Sequence, residues 1–503
     1  MTQNLRKIST YLFGLRLLRT GISVITLVLA AKFFGISIGR DVWILVSAFI
    51  ATVNSAVWGP INETFRTKFI FIREQEGEPV ALRKTSELLL LMIFVTILIS
   101  ILLFIFRYPL MGIVAPSLAT EHSAIFVKML FLLLPTFVIN QMTSIGISVL
   151  NAYNYFYIPE IVGFFSGIAN LICIIFLAPV IGIYSLVVSQ YISIILLLLV
   201  IMYYIRTRQI NIRIRLFSIN WSDVRPFVLF ALPFFLPYFA GQCSGLLERS
   251  LANYLGEGVV STLDYSRKFT DILQSVLSGI LASVMVPVLA LHFSKRHFEN
   301  FRCDLKQNIQ VVFIILCLTV PILVGASIPL CKFLYLRGDM TLPVVEEIAE
   351  ITRLYGISFV GVAFYLLFGL TLLAQNEGKK YAFYGMMTQV GMIIINLLLF
   401  RYMGVYTFAI SLFVTHMVAA MWMLKLIKLD VPREVYYYFV KCFLCLLLLV
   451  VLLVGLNILL KDVRPFYSLF ISGMILGLLF IAVSGIFGFN IRKYLKNLMG
   501  RKI

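Results

Sequence analysis

Charge is what this chain has least of. Lys, Arg, Asp and Glu make up only 13% of its 503 residues, whereas 61% are hydrophobic. That balance lies outside soluble usage and marks a polytopic membrane protein. Histidine is equally sparse. His122, His292, His297 and His416 are scattered along the chain, and no H-E-x-x-H, G-x-S-x-G, Walker A or D-x-D pattern occurs. Metal hydrolysis, serine chemistry and ATP-driven pumping therefore have no recognisable site. Long loops are missing as well: the longest, near 72–85, 107–123 and 292–307, run to roughly twenty residues, well short of an independent domain. A membrane glycan polymerase or ligase would be expected to have a long external loop, and this chain has none. Of the seven cysteines, Cys442 and Cys445 form a C-x-x-C with no second pair and no histidine nearby. No metal and no cofactor are expected.

What the chain does have is apolar runs, long and continuous, without the alternation of barrel strands. Each is long enough to cross about 30 Å of hydrocarbon as a helix. About fourteen spans fit between residues 10 and 488, with ends uncertain by a few residues. The first run carries Arg16 and Arg19 and lacks a small-residue cleavage pattern, so it is expected to remain as the first helix. Pro60 and Gly59 are candidates for a bend in the second. Lys and Arg concentrate in alternate loops, from Arg73, Arg83 and Lys84 through Lys295, Arg296, Arg302 and Lys306 to the basic tail. By the positive-inside rule both termini are cytoplasmic. The same pattern explains most of the net charge of +19. Attraction to anionic headgroups is sufficient, and nucleic acid has no place as a partner.

Charges inside the spans gather in two regions, roughly residues 10–71 and 225–291. A charge at mid-bilayer costs about 2.5–3.5 kcal/mol on insertion scales, so such residues normally face a watery cavity, a partner or a ligand. Arg16, Arg19, Glu63, Arg66, Lys68, Glu248, Arg249, Asp264, Arg267, Lys268 and Asp271 are the candidates. The two regions share a phrase, Ala31-Lys32-Phe33-Phe34-Gly35 followed by Asp41, and Ala252-Asn253-Tyr254-Leu255-Gly256 followed by Asp264. This repeat suggests two pseudo-symmetric six-helix lobes, 1–215 and 216–430, with 431–503 adding two helices and a basic cytoplasmic tail.

The phrase Glu248-Arg249-Ser-Leu-Ala-Asn-Tyr-Leu-Gly256-Glu-Gly258, continuing through Leu263-Asp264-Tyr265-Ser-Arg267-Lys268 to Val286-Pro287, resembles the seventh-to-eighth helix region of the MurJ (MviN) lipid II flippases. These belong to the multidrug, oligosaccharidyl-lipid and polysaccharide exporter superfamily. Leu334-Tyr335-Leu336-Arg337-Gly338 supports the resemblance, which covers most of the chain. It implies an all-α fold of about fourteen helices, a lipid-linked glycan as substrate, and spans thirteen and fourteen as a groove for the lipid tail. Asp41 matches the family's acidic residue after the first turn. Lys268, or Arg267 beside it, falls where the family keeps a cavity arginine. The two first-helix arginines of the family fall nearest Thr20 and Thr26, with Arg19 one position off, and the basic pair of the second helix falls on Asn54 and Ser55. Polysaccharide-unit flippases of the same superfamily fit equally well here.

The expected function is translocation of an undecaprenyl-diphosphate-linked glycan, lipid II or a polysaccharide repeat unit, across the bacterial inner membrane. Transport would proceed by alternating access, with an ion or the membrane potential as the energy source. Arginine pairs bidentately with phosphate and stays charged at physiological pH. Arg16, Arg19, Asp41, Arg267 and Lys268 are therefore the expected substrate-binding residues, with Glu63, Arg66, Asp264 and Asp271 as charge partners in the cavity. The chain would act as a monomer in the bilayer, alongside glycan-assembly enzymes. Plainer readings stand beside these. Arg66 and Lys68 would snorkel to headgroups, Glu248 and Arg249 would form a surface pair, the Asp264–Asp271 series would be a self-neutralising ladder, and His416 would be a packing residue. A cation-coupled multidrug exporter is the alternative transporter, but it should have an acid-dominated cavity, and here bases equal or exceed acids.

Overall fold

The computed structural model describes residues 2–118, 122–155, 157–210, 220–427 and 433–486. Side chains are described from residue 14 onward, except those at 16, 17, 283, 284, 433–439 and 484–486. Among the described residues all regular structure is helical. Twelve helices are long and apolar enough to cross a bilayer. The two remaining expected crossings, 10–34 and 258–291, are occupied by α1 (Thr2–Phe34) and by α10 (Val259–Ile280) followed by α11 (Val286–Ser294). α10 carries Asp264, Arg267, Lys268 and Asp271 in its middle, which makes it too polar to count by hydropathy.

The chain divides into two compact units, Met1–Ser261 and Thr262–Ile503. The first contains α1, α2 (Ile38–Glu76), α3 (Glu78–Ile105), the short α4 (Arg107–Val114), α5 (Ser123–Ala152), α6 (Tyr157–Ile181), α7 (Tyr184–Thr207), α8 (Trp221–Ala231) and α9 (Phe235–Leu255). α2 is its central helix and packs on α3, α5, α8 and α9. It runs through Pro60 as one helix; Gly59 lets α9 come close, since a Cβ there would stand 2.7 Å from the Tyr238 ring. Buried polar bonds fix the neighbours. Trp58 Nε1 donates to Thr96 Oγ1 at 2.9 Å, joining α2 to α3, and Gln141 Nε2 donates to Asn54 Oδ1 at 2.7 Å, joining α5 to α2. At the ends of α2 and α5 lies a polar knot. The Tyr153 hydroxyl donates to Glu78 at 2.5 Å under the Arg73 guanidinium, and burial together with Glu78 pushes this phenol above its ordinary range.

The second unit is built round α14 (Leu342–Ala374), which buries 83% of its most apolar stretch, against 22% for the peripheral α15 (Gly378–Met403). α12 (Phe298–Gly325), α13 (Ser327–Tyr335) and α16 (Tyr406–Leu426) pack directly on α14, and α17 (Arg433–Leu459) and α18 (Pro465–Ile486) pack on α12 and α13. Asn457 Oδ1 accepts from Ser468 and Ser472 and staples α17 to α18. Apolar side chains left uncovered elsewhere, such as Phe176 at 69% and Leu398 at 65% exposure, suit contact with lipid.

Backbone geometry shows an internal repeat. Gly35 and Gly256, Asn154 and Asn376, and Gly182 and Gly404 form pairs spaced by 221 or 222 residues, and all six have positive φ. Each pair ends a helix in the left-handed region or its neighbourhood, where Gly and Asn pay least. The last pair opens the parallel phrases Gly182-Ile-Tyr-Ser and Gly404-Val-Tyr-Thr. The repeat is thus visible in the conformation of these turns.

Candidate functional site

In the first unit the most constrained charge is Asp41. Ser37 caps α2 by accepting from Arg40 N at 3.4 Å, which places Asp41 in the first turn. Its carboxylate accepts from Gly258 N at 2.6 Å and Ser261 N at 2.8 Å, and from the Ser261 hydroxyl. The residue is 2% exposed. Gly258 is required for this approach: its φ is +83° and a Cβ would stand 2.3 Å from Ile36 Cγ2. Asp41 therefore clamps the α9–α10 turn to the start of α2. Nearby, Glu248 is buried on α9 at 3% exposure, which rules out the surface-pair reading, while Arg249 donates to Gly245 O at 3.0 Å.

The other first-unit candidates are more open. Arg19 reaches from α1 across α6, with one guanidinium nitrogen 2.8 Å from where a Cβ of Gly163 would stand and 3.9 Å from Glu160 Oε2. The Arg19 side chain is 53% exposed, so this long pair contributes little to stability and leaves the cation accessible. Arg16 lies on α1, but its side chain is outside the described residues. Glu63 accepts from the Tyr238 hydroxyl at 3.2 Å, the Lys68 ammonium lies 5.8 Å from the Phe230 ring centroid, and Arg66 is exposed. At the position of the family's second-helix basic pair, Asn54 is neutral and tied to Gln141.

In the second unit α10 separates its faces. Tyr265 and Ser266 are fully buried and Thr270 nearly so. The Tyr335 hydroxyl donates to Tyr265 O at 3.1 Å, Thr352 Oγ1 donates to Ser266 O at 3.3 Å, and Ser266 Oγ donates to Ile348 O at 3.2 Å. These bonds fix α10 against α13 and α14. Asp264, Arg267, Lys268 and Asp271 remain partly or fully exposed. Arg267 Nε donates to Asp271 at 3.1 Å in an i,i+4 pair. Lys268 has no ion pair among the described residues. Two acids balance two bases on α10, so this rigidly held helix carries no net charge, but the pairing is incomplete at Lys268. His416 is buried in the same unit, with Nδ1 2.9 Å from Leu412 O and its ring packed edge-on to Tyr365 at 4.9 Å; this is a packed, bonded imidazole. Sequence reasoning missed Glu160, Gln141 and Tyr238. Glu160 was the discoverable one, as a solitary acid at the head of an otherwise uncharged span.

Among the described residues, helix-only architecture, many apolar spans with apolar exteriors, and cations on two helices define a multi-pass membrane protein. A solved lipid II flippase MurJ in an inward closed conformation superposes with a TM-score of 0.76 at 20% identity, covering 96% of this chain and 98% of that one. An inward-facing multidrug-resistance MATE transporter of the MOP superfamily superposes with a TM-score of 0.64 at 17% identity, covering 82% and 94%. The family model described as lipid II flippase MurJ matches residues 18–483, and the chain belongs to that family. A curated lipid II flippase MurJ from Burkholderia cenocepacia is 22% identical over 241 residues, a stretch spanning 47% of this chain and 47% of that protein.

Proposed function

We propose that the protein moves a polyprenyl-diphosphate-linked glycan across the bacterial inner membrane by alternating access, with lipid II or a polysaccharide repeat unit as the cargo. The observation that carries this is the family match across residues 18–483. Arg16, Arg19, Arg267 and Lys268 serve as diphosphate contacts. Arg19 is favoured by its accessibility, its contact with Glu160 being as long as 3.9 Å, and Lys268 by having no ion pair among the described residues. Asp41 holds one access state by its clamp on the α9–α10 turn, and Glu63, Arg66, Asp264 and Asp271 are the charge partners in the cavity, the three acids offsetting the bases. α17 and α18 offer the lipid tail an apolar wall that includes Leu444, Leu447 and Val451. An ion gradient or the membrane potential drives transport, both termini are cytoplasmic, and the chain works as a monomer beside glycan-assembly enzymes. The accessible cations Arg19 and Lys268 favour an anionic cargo over the organic cation of a multidrug exporter.

Complementation separates the cargoes. Rescue of a strain depleted of its lipid II flippase assigns the protein to peptidoglycan synthesis, and restored surface polysaccharide in a strain lacking an O-antigen unit flippase assigns it to that pathway. Rescue of neither, with membrane insertion confirmed, refutes the proposal.

A further inference from the structure

A second feature of the first unit lies away from the transport residues. At Phe106 the chain turns out of α3 into α4, with φ −88° and ψ 21°. α4 and the turn beyond it are held toward α9: the Ser250 hydroxyl donates to Ile113 O at 2.5 Å, and Ser117 N donates to Asn253 Oδ1 at 3.1 Å. With α4 anchored on that side, a crevice of about 530 Å³ opens between the end of α3 and the start of α5. Phe104 and Tyr108 form one wall; Ala124, Val127, Lys128 and Phe131 form the other. These four recur at spacings of three and four and so share one face of α5. Phe131 is 60% exposed and Tyr108 56%, so the crevice opens to the lipid side at the level where two spans end.

Two cations accompany it: Lys128 lines the crevice, and Arg107 stacks on two of its aromatic side chains. The Arg107 guanidinium lies 5.0 Å from the Phe104 ring centroid and 4.8 Å from that of Tyr108, and the Lys128 ammonium lies 4.5 Å from the Tyr184 ring centroid. Neither has an acidic partner among the described residues. Aromatic rings hold both at the interface without neutralising them, leaving two positive charges above an apolar slot.

We infer that this crevice binds one anionic glycerophospholipid, with the headgroup phosphate between Arg107 and Lys128 and an acyl chain along Phe104, Val127 and Phe131. Charge complementarity selects the headgroup, and the apolar and aromatic lining selects a lipid over a free phosphate. The site shares no residue with α10 and does not include Arg19, so it is assigned as an annular site that seats the α3–α5 end of the first unit in an anionic leaflet and takes no part in cargo binding.

Native mass spectrometry of the full-length protein, titrated with dioleoyl phosphatidylglycerol or dioleoyl phosphatidylcholine, tests this. Two basic contacts near a membrane surface predict a roughly thirtyfold preference for phosphatidylglycerol in one bound copy. Arg107→Ala/Lys128→Ala should lose that preference, while Arg107→Lys/Lys128→Arg should keep most of it. Lys461→Ala/Arg464→Ala, which removes the same charge elsewhere, should leave it intact. Glycerol 3-phosphate in excess should not displace the lipid. Equal retention of both lipids by the unaltered protein would overturn the inference, as would equal loss in the two alanine pairs or displacement by glycerol 3-phosphate.

Discussion

Replacing Asp41 with alanine tests the central clamp. The substitution deprives the Gly258 and Ser261 amides and the Ser261 hydroxyl of their acceptor in a site that is 2% exposed. Hydrogen bonds to charged groups contribute about 1.5–3 kcal/mol each, and losing one member of a buried charged network costs about 3–5 kcal/mol. Partial entry of water favours the low end. Local opening of the turn should become about 3 kcal/mol easier, which is roughly 150-fold faster amide exchange at one decade per 1.4 kcal/mol. Hydrogen exchange read on a peptide spanning residues 255–263 reports this directly. Asp41→Asn retains one accepting oxygen and should accelerate exchange only about tenfold, on the basis of one lost bond of about 1.5 kcal/mol. Glu63→Ala should leave this peptide unchanged, because Glu63 is exposed and accepts a single 3.2 Å bond. If Asp41→Ala left the peptide's exchange unaltered in folded protein, Asp41 would not be holding the turn.

Arg267→Ala should abolish most transport, whereas Asp271→Ala, which removes one acceptor from the guanidinium, should not. Neither should shift the unfolding temperature appreciably, because a partly exposed i,i+4 pair contributes only about 0.3–0.5 kcal/mol. Gly258→Ala combines a φ of +83° with a 2.3 Å approach to Ile36. It should lower thermal stability and mimic the exchange phenotype of Asp41→Ala. Gly369→Ala would put a Cβ 2.3 Å from the Tyr381 ring and should cost about 1–3 kcal/mol by overpacking. Tyr381→Leu in the same chain should recover most of that loss in a thermal melt. The Tyr153 phenol, held above its usual range by burial and Glu78, donates to Glu78 only while protonated. Its stabilisation should be fully present up to about pH 10, the ordinary tyrosine value, and fall away as pH rises further. Ultraviolet titration of the unaltered protein against Tyr153→Phe would show one missing high-pH step.

The class of this fold was legible in composition because hydrocarbon imposes a simple rule, about 20 apolar residues per crossing, on every span. The expected crossing that is too polar for a hydropathy test, α10, shows how that rule interacts with function. On α10, Tyr265 and Ser266 face α13 and α14 and meet hydroxyl donors there, so the charged face at 264, 267, 268 and 271 need not pack in the core. Spacing alone revealed that face. The partner of Asp41 was not legible, because its ligands are backbone amides some 220 residues away and amides have no residue type to read. The repeat was half legible. Gly35 and Gly256 stand in a shared phrase, whereas Asn154 and Asn376 each close a shorter L-x-A-x-N stretch that only their common positive φ brings to notice. What the two halves hold in common is the conformation of their turns, which Gly or Asn can supply with almost any neighbours. The candidate cargo contacts, Arg19 on α1 and Arg267 with Lys268 on α10, stand on helices that those turns border. A fold shared at a TM-score of 0.76 with only 20% identity shows how far side chains can change while the scaffold stays the same.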